Sequence, residues 1–195
     1  LLDKANVPKG EWLVQNASGS ALAKMLIGVA KSKGIKTINI VRRTAQIPEI
    51  GGDVVLSSEN KTPQELADAI QAAIGGARPY AALDAVGGSA SHALSLAVRD
   101  HGTVITYGVL DGGLVTLSGL AALMRGIIHT GYAVNQDARN LTVEGRHAFC
   151  TEALDLMAKG HMVADAGLKY SLEQVIEAVA KSGEAAKGGK VLLYN

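Results

Sequence analysis

Two groups of residues in this chain have types and spacing that could do chemistry. One is a run of small or turn-forming residues, Asn16-Ala17-Ser18-Gly19-Ser20-Ala21-Leu22; the other is the pair Arg42-Arg43. Small residues let an anion approach the backbone, and a helix starting behind them offers free N–H groups and a positive dipole end. Paired arginines can hold a phosphate through charge-assisted hydrogen bonds. Trp12–Val14 is a short apolar run ahead of the small residues, and Leu22, Met25, Leu26, Val29 and Ala30 then recur at helical spacing. Thr37–Val41 is a second strand-like run that the arginines close. Strand, turn, helix and strand in this order also describe an ordinary βαβ crossover with a small-residue turn, and paired arginines also decorate solvated strand ends. Together they read as a dinucleotide-binding unit, which meets the adenosine ribose at the end of its second strand. An NAD site asks for Asp or Glu there, whereas the 2′-phosphorylated form asks for arginine, and no carboxylate follows before Glu49. The expected cofactor is therefore NADPH or NADP.

The glycine fingerprint itself is degenerate. Where G-x-G-x-x-G would stand, the chain has Asn16, Ser18 or Gly19, and Ala23. Other chemistry is sparse. The five histidines, at 92, 101, 129, 147 and 161, show no ligand pair at helical spacing, so no metal site is expected. There is no G-x-S-x-G elbow and no phosphate-binding G-x-x-x-x-G-K-[ST] loop. Asp84 reads as structural and Asp111 as a turn residue. No catalytic acid, base or nucleophile is expected within these residues.

The elements that must position the two groups follow from periodicity. Strand-like runs at Trp12–Val14, Thr37–Val41, Asp53–Leu56, Ala81–Ala85, Thr103–Tyr107 and Ile127–Val134 alternate with helical windows at Ser20–Lys33, Pro63–Ile74, Ser89–Arg99 and Leu117–Arg125. That alternation predicts an α/β fold, a doubly wound parallel sheet of about six strands with helices on both faces. Thr62-Pro-Gln-Glu65 has a capping Thr, Pro at the first helical position and Glu at the third, a strong helix start. Residues 1–135 are expected to form the dinucleotide-binding domain. Residues 136–195 read as a tail: an amphipathic helix over Gly145–Lys159, another over Ser171–Lys181 with Leu172, Val175, Ile176 and Val179 on one face, and a closing strand Lys190–Tyr194.

With these elements placed, a resemblance can be stated. Gln15-Asn-Ala-Ser-Gly-Ser20 and Thr37-Ile-Asn-Ile-Val-Arg42 resemble the medium-chain dehydrogenase/reductase superfamily, closest to its mitochondrial-type 2-enoyl thioester reductases, which carry a Q-N-A-x-N-S turn and a T-I-N-V-V-R strand. Leu83-Asp-Ala-Val-Gly-Gly88 is similar to that family's fourth strand and glycine turn, and Gly102–Gly108 to its fifth strand. His129-Thr-Gly-Tyr132 stands where the family has R-G-F or R-G-Y, and Lys187–Leu193 matches its closing strand. The likeness covers nearly the whole chain. It departs where Gly19 replaces an asparagine, where Ala21-Leu-Ala23 replaces G-V-G, and where no aspartate separates the two arginines.

The resemblance implies a Rossmann-type cofactor domain from a zinc-independent reductase. Such an enzyme moves hydride to an activated double bond of an enoyl thioester or quinone, the proton donor being a tyrosine of another domain. The tail would then return toward that absent catalytic domain, so the chain reads as a fragment. Cofactor contacts are expected from Asn16, Ala17, Ser18, Gly19, Ser20, Ala21 and Leu22 at the diphosphate, with Lys190 reaching it from the closing strand. Arg42 and Arg43 are expected at the adenosine ribose, with Val86 and Gly87 after the fourth strand. Tyr107, Gly108, Tyr132 and Ala133 should flank the nicotinamide, at the carboxyl ends of the fifth and sixth strands. The sixth strand, an apolar sheet edge, is expected to pair with its twin in a homodimer. A zinc alcohol dehydrogenase cofactor domain is one alternative. A non-catalytic dinucleotide-sensing or scaffold domain is another, motivated by the bulk of Ala21, Leu22 and Ala23.

Composition sets the outer bounds. The chain has 195 residues, 48% of them hydrophobic but only 4% aromatic, which suits a Val/Ile/Leu/Ala core. A formal charge of +1 gives no broad basic field, so a small-molecule substrate rather than nucleic acid is expected. One cysteine, Cys150, excludes an internal disulfide and reads as a small buried side chain on its helix. No apolar run approaches a membrane span and no leader is visible, so the expected location is the cytoplasm, or an organelle matrix in a eukaryote.

Overall fold

Runs of apolar residues that do not alternate with polar ones belong to strands covered on both faces. Leu13-Val14, Ile38, Ile40-Val41, Ala81-Ala82-Leu83 and Val104-Ile105 are all buried. The computed structural model describes residues 1–163, 167–184 and 190–195. In chain order its elements are α1 (Leu2–Ala5), β1 (Trp12–Gln15), α2 (Ala21–Ser32), β2 (Lys36–Val41), a 3-10 turn at Thr44–Glu49, β3 (Val54–Ser57), α3 (Pro63–Ala73), β4 (Ala81–Asp84), α4 (Gly88–Ala97), β5 (Thr103–Thr106), α5 (Gly119–Arg125) and β6 (Ile128–Gly131). Then come α6 (Val134–Asn140), α7 (Val143–Ala158), β7 (Leu168–Ser171), a 3-10 turn at Leu172–Gln174, α8 (Val175–Gly183) and β8 (Val191–Tyr194).

The first six strands form one parallel sheet in the order β3-β2-β1-β4-β5-β6, which is the doubly wound arrangement expected. Strand order reverses between β1 and β4, and the crevice at their carboxyl ends is where open α/β sheets bind ligands. On one face Val14, Ile38 and Val104 pack with Leu66 and Ile70 of α3 and Leu94 of α4. On the other, Leu13, Leu83 and Ile105 pack with Leu26 and Val29 of α2. Thr62 and Glu65 cap α3 reciprocally, as their spacing predicts. Buried amides inside the sheet are paired across strands: Gln15 Nε2 donates to Asn39 Oδ1 at 2.8 Å and to the Ala23 carbonyl at 3.1 Å.

The sixth strand is shorter than expected. Tyr132 still donates its amide to the Thr106 carbonyl, but β5 ends there, so Ala133 and Val134 have no neighbour to pair with and Val134 opens α6. By alternation from the amides of Ile128 and Tyr132, which bond inward, those of His129 and Gly131 face the open edge.

The C-terminal residues differ more. β7, not anticipated, pairs in parallel with β8 in a separate two-stranded sheet. Helix α7 buries no residue fully: Phe149, Leu154 and Met157 are exposed, so the amphipathic face expected over 145–159 covers little core. Cys150 is exposed, not buried. The helix expected over 171–181 begins only at Val175; Leu172 in the 3-10 turn before it and Val175, Ile176 and Val179 on α8 are exposed, and Ala178 is the buried residue of α8. The segment after α7 docks where Gly28 lacks a side chain; a Cβ there would lie 2.1 Å from the His161 carbonyl oxygen. Lys187–Gly189 of the expected closing segment lie outside the described residues. Among the described residues, no helix is long and apolar enough to cross a membrane.

Candidate functional site

The β1–α2 turn is built from short side chains that bond back to the backbone. Ser18 is buried; its amide donates to the Ile40 carbonyl at 3.0 Å and its hydroxyl to the Gln15 carbonyl at 3.2 Å. Ala17 takes a left-handed backbone conformation, φ 48°, which non-glycine residues rarely adopt. Ser20 caps α2 by accepting from the Ala23 amide at 3.2 Å. A tight, internally bonded turn therefore precedes a 12-residue helix whose first amides point outward.

A second turn, after β4, is locked to the first through Asp84. This carboxylate is fully buried. It accepts from Asn16 Nδ2 at 2.6 Å, from the amides of Val86 and Gly87 at 3.0 and 3.1 Å, from Thr106 Oγ1 at 3.2 Å and from the Ser91 hydroxyl. Burial pushes its pKa up. The hydrogen bonds from Ser91, Asn16, Gly87 and Val86 outweigh that and hold it below the ordinary carboxylate value. Gly87, at φ +85°, is the glycine this turn requires: a Cβ would meet the Leu114 carbonyl oxygen at 2.6 Å.

Between the turns lies a cavity of about 530 Å³. Asn16, Ala17, Ser18, Gly19 and Ser20 form one wall. Ile40, Leu66, Ala93 and Leu94 supply apolar lining, Val86 lies after β4, and Arg42 and Arg43 stand at the end of β2. The structure thus brings together eight of the residues singled out by sequence, separated by up to 70 positions. It also adds Gln46, Ser58, Lys61, Leu110 and Asp111 to the lining. Of these, Lys61 carried a readable signal, a cation directly before the Thr62-Pro63 helix start. Leu110 and Asp111 arrive by a loop that bonds its amides to the Ala85 and Val86 carbonyls, a pairing no local pattern announces.

The remaining singled-out residues lie elsewhere. Ala21 and Leu22 open α2 just beyond the cavity lining. Gly87 begins the turn that Asp84 anchors. Tyr107 and Gly108 leave the end of β5, their amides directed at the Asp84 carbonyl. The Tyr107 and Tyr132 side chains pack against the core beneath α2 with Leu156 and Met162. Burial, and secondarily the charge of Asp84, pushes the Tyr107 hydroxyl up to about 12. Ala133 precedes α6, and exposed Lys190 leads into β8.

His129 on β6 lies 3.4 Å from Thr106 Oγ1, and burial lowers its pKa. Among the described residues, no group of three or more His, Cys, Asp or Glu side chains could hold a metal ion. The arrangement is suited to binding: small residues and helix amides for a diphosphate, guanidinium groups for a further phosphate, and an apolar slot for a ring.

Comparison with known proteins is consistent across sequence and structure. Residues 50–193 match the family model for zinc-binding dehydrogenases. The mitochondrial enoyl-[acyl-carrier-protein] reductase of Dictyostelium discoideum is 30% identical over 203 residues, covering 99% of this chain and 56% of that protein. The chain spans about half the length of the curated relatives it matches. Its fold superimposes on a mycobacterial protein solved in complex with NADPH, with TM-score 0.82 and 20% identity over 97% of this chain and 59% of that one. It also superimposes on the mitochondrial 2-enoyl thioester reductase heterodimer of Candida tropicalis, with TM-score 0.76 and 20% identity over 97% of this chain and 55% of that one.

Proposed function

Since this chain belongs to the zinc-binding dehydrogenase family, as its sequence motifs imply, we propose that it is the NADPH-binding part of a zinc-independent reductase acting on an activated carbon–carbon double bond, such as that of an enoyl thioester or a quinone. The observation that carries this reading is that Arg42 and Arg43 open onto the same cavity as the small-residue turn at the start of α2. The donor set fits the cofactor. Helix amides and hydroxyls match a diphosphate, guanidinium groups match a 2′-phosphate, and Ile40, Leu66, Ala93 and Leu94 match an adenine face.

When bound, NADPH supplies the hydride. The chain's own residues bind and orient it. The diphosphate lies over Asn16–Leu22, with Lys190 approaching from β8, and Arg42 and Arg43 hold the 2′-phosphate. Val86 and Gly87 border the adenosine, and the nicotinamide points toward Tyr107-Gly108 and Tyr132-Ala133. Residues 1–135 act as the cofactor domain and 136–195 as the return toward a substrate domain. Two copies pair along β6, and the protein works in the cytoplasm or an organelle matrix. Titration of the 195-residue chain with NADPH, followed by nicotinamide fluorescence, tests the reading: saturable binding is expected. Its absence favours a domain that kept the fold and lost the ligand.

A further inference from the structure

The adenosine end of the cavity carries a third cation from a different strand. Ser58 bonds the Val41 carbonyl through its amide at 2.9 Å and its hydroxyl at 3.3 Å, tying the β3–α3 turn to the end of β2. The turn then closes tightly, with the Lys61 amide donating to the Ser58 carbonyl at 3.2 Å and Asn60 left-handed at φ 56°. This brings Lys61 to the lining that Arg42 and Arg43 share. One carboxylate lies among the three. Glu59 accepts from the Thr44 amide at 3.0 Å and feels the charges of both Arg43 and Lys61.

None of the three cations is in a salt bridge among the described residues. Three positive charges against one carboxylate already bonded to an amide leave about two unmatched charges at one end of one cavity. A phosphate monoester dianion carries that charge.

Building on the NADPH reading above, we infer that Lys61 is a specificity-determining residue, selecting the dianionic 2′-phosphate of the adenosine together with Arg42 and Arg43. Its contribution is confined to that phosphate. The diphosphate common to both cofactors lies over the β1–α2 turn on this reading, so Lys61 separates NADPH from NADH rather than strengthening both. A lysine is suited to this position because a flexible point charge reaches the phosphate from a neighbouring turn without bidentate geometry.

The test measures dissociation constants of NADPH, NADH, 2′,5′-ADP and 5′-AMP for the unsubstituted chain, Lys61→Gln and Lys61→Arg. Lys61 is exposed, so the variants should unfold at the unsubstituted temperature. Lys61→Gln should weaken NADPH and 2′,5′-ADP about tenfold, with NADH and 5′-AMP changed less than twofold, and Lys61→Arg should recover most of the loss. If the unsubstituted chain binds NADPH but Lys61→Gln leaves it unchanged, or weakens all four ligands equally, the role of Lys61 is overturned while the binding function stands. If the unsubstituted chain binds neither dinucleotide, the binding function falls and the inference falls with it.

Discussion

Asn16 and Asp84, 68 positions apart, meet inside the protein: the Asn16 amide nitrogen donates to the Asp84 carboxylate at 2.6 Å. The same Asn16 side chain accepts from the Ala85 amide through its oxygen at 2.7 Å. One residue thus bonds the turn after β4 twice. The wall of the cavity formed by Asn16–Ser20 and the wall formed by Val86 are held at one spacing by this pair. Asn16→Ala should cost about 1–3 kcal/mol, since it strands a buried amide, and Asp84→Ala about 4 kcal/mol or more, since it strands several donors. Urea denaturation measures both.

The same carboxylate sets an acid limit on stability. Its folded pKa lies below the unfolded value, so the unfolded chain takes up the proton first as pH falls. Its contribution is therefore complete above about pH 4 and is lost as pH falls from there through the lower folded value. The difference in urea midpoint between the unsubstituted chain and Asp84→Asn should be constant from pH 5 to 8 and shrink below pH 4.

Arg42 and Arg43 should give a preference for NADPH over NADH. Each charge-assisted hydrogen bond contributes about 1.5–3 kcal/mol, so one contact gives roughly tenfold discrimination and two about a hundredfold or more. Calorimetry on the unsubstituted chain and on Arg42→Ala/Arg43→Ala reads this directly. Equal affinity of the unsubstituted chain for both cofactors would remove the basis for the assignment.

Ala23 is fully buried, and its carbonyl accepts from Gln15 Nε2. Ala23→Asp forces a charge between α2 and β1, which should destabilise the fold by several kcal/mol and abolish NADPH binding. A stably folded variant with unchanged affinity would show that the turn is not where the diphosphate sits.

Pairing of two copies along β6 predicts a dimer at micromolar concentration by light scattering. The Gly131 amide faces the open edge, so Gly131→Pro removes an outward donor while leaving the ladder to β5 intact, and should give a monomer. A monomeric unsubstituted chain counts against the edge as an interface.

The 195-residue chain should bind NADPH yet reduce nothing. No side chain described here pairs a titratable group with a partner poised to protonate a substrate carbon, and burial leaves the Tyr107 hydroxyl a weaker acid than a free phenol. On the proposed reading the acceptor is held by a separate substrate domain, and without that domain water is not excluded and the acceptor is not positioned, a loss of several kcal/mol. The assay is absorbance-monitored NADPH oxidation with a crotonyl thioester and with a small quinone, and turnover above background would place catalysis within these residues.

Local pattern was enough for the parallel sheet, because strands covered on both faces are predominantly apolar and helices must show period 3.6; Ala81–Leu83 carries the first signal and Leu22–Ala30 the second. It also marked the turn at Asn16–Ser20 and the arginines after β2, since small residues open a helix start to an anion and paired cations at a strand end can hold a phosphate. What it left open depended on contacts between distant segments. That Asp84 anchors Asn16 follows from β1 and β4 becoming neighbours, and that Lys61 lines the same cavity as Arg43 follows from the β3–α3 turn bonding to the Val41 carbonyl. The shortened β6 reflects where β5 ends, not the residues 132–134 themselves. The exposed faces of α7 and α8 follow the same logic: helical spacing groups Leu172, Val175, Ile176 and Val179, but only the three-dimensional neighbours decide whether that face is covered, and here all four are exposed while Ala178 of α8 is buried. Spacing along the chain determines which residues share a face. Tertiary packing decides what that face meets.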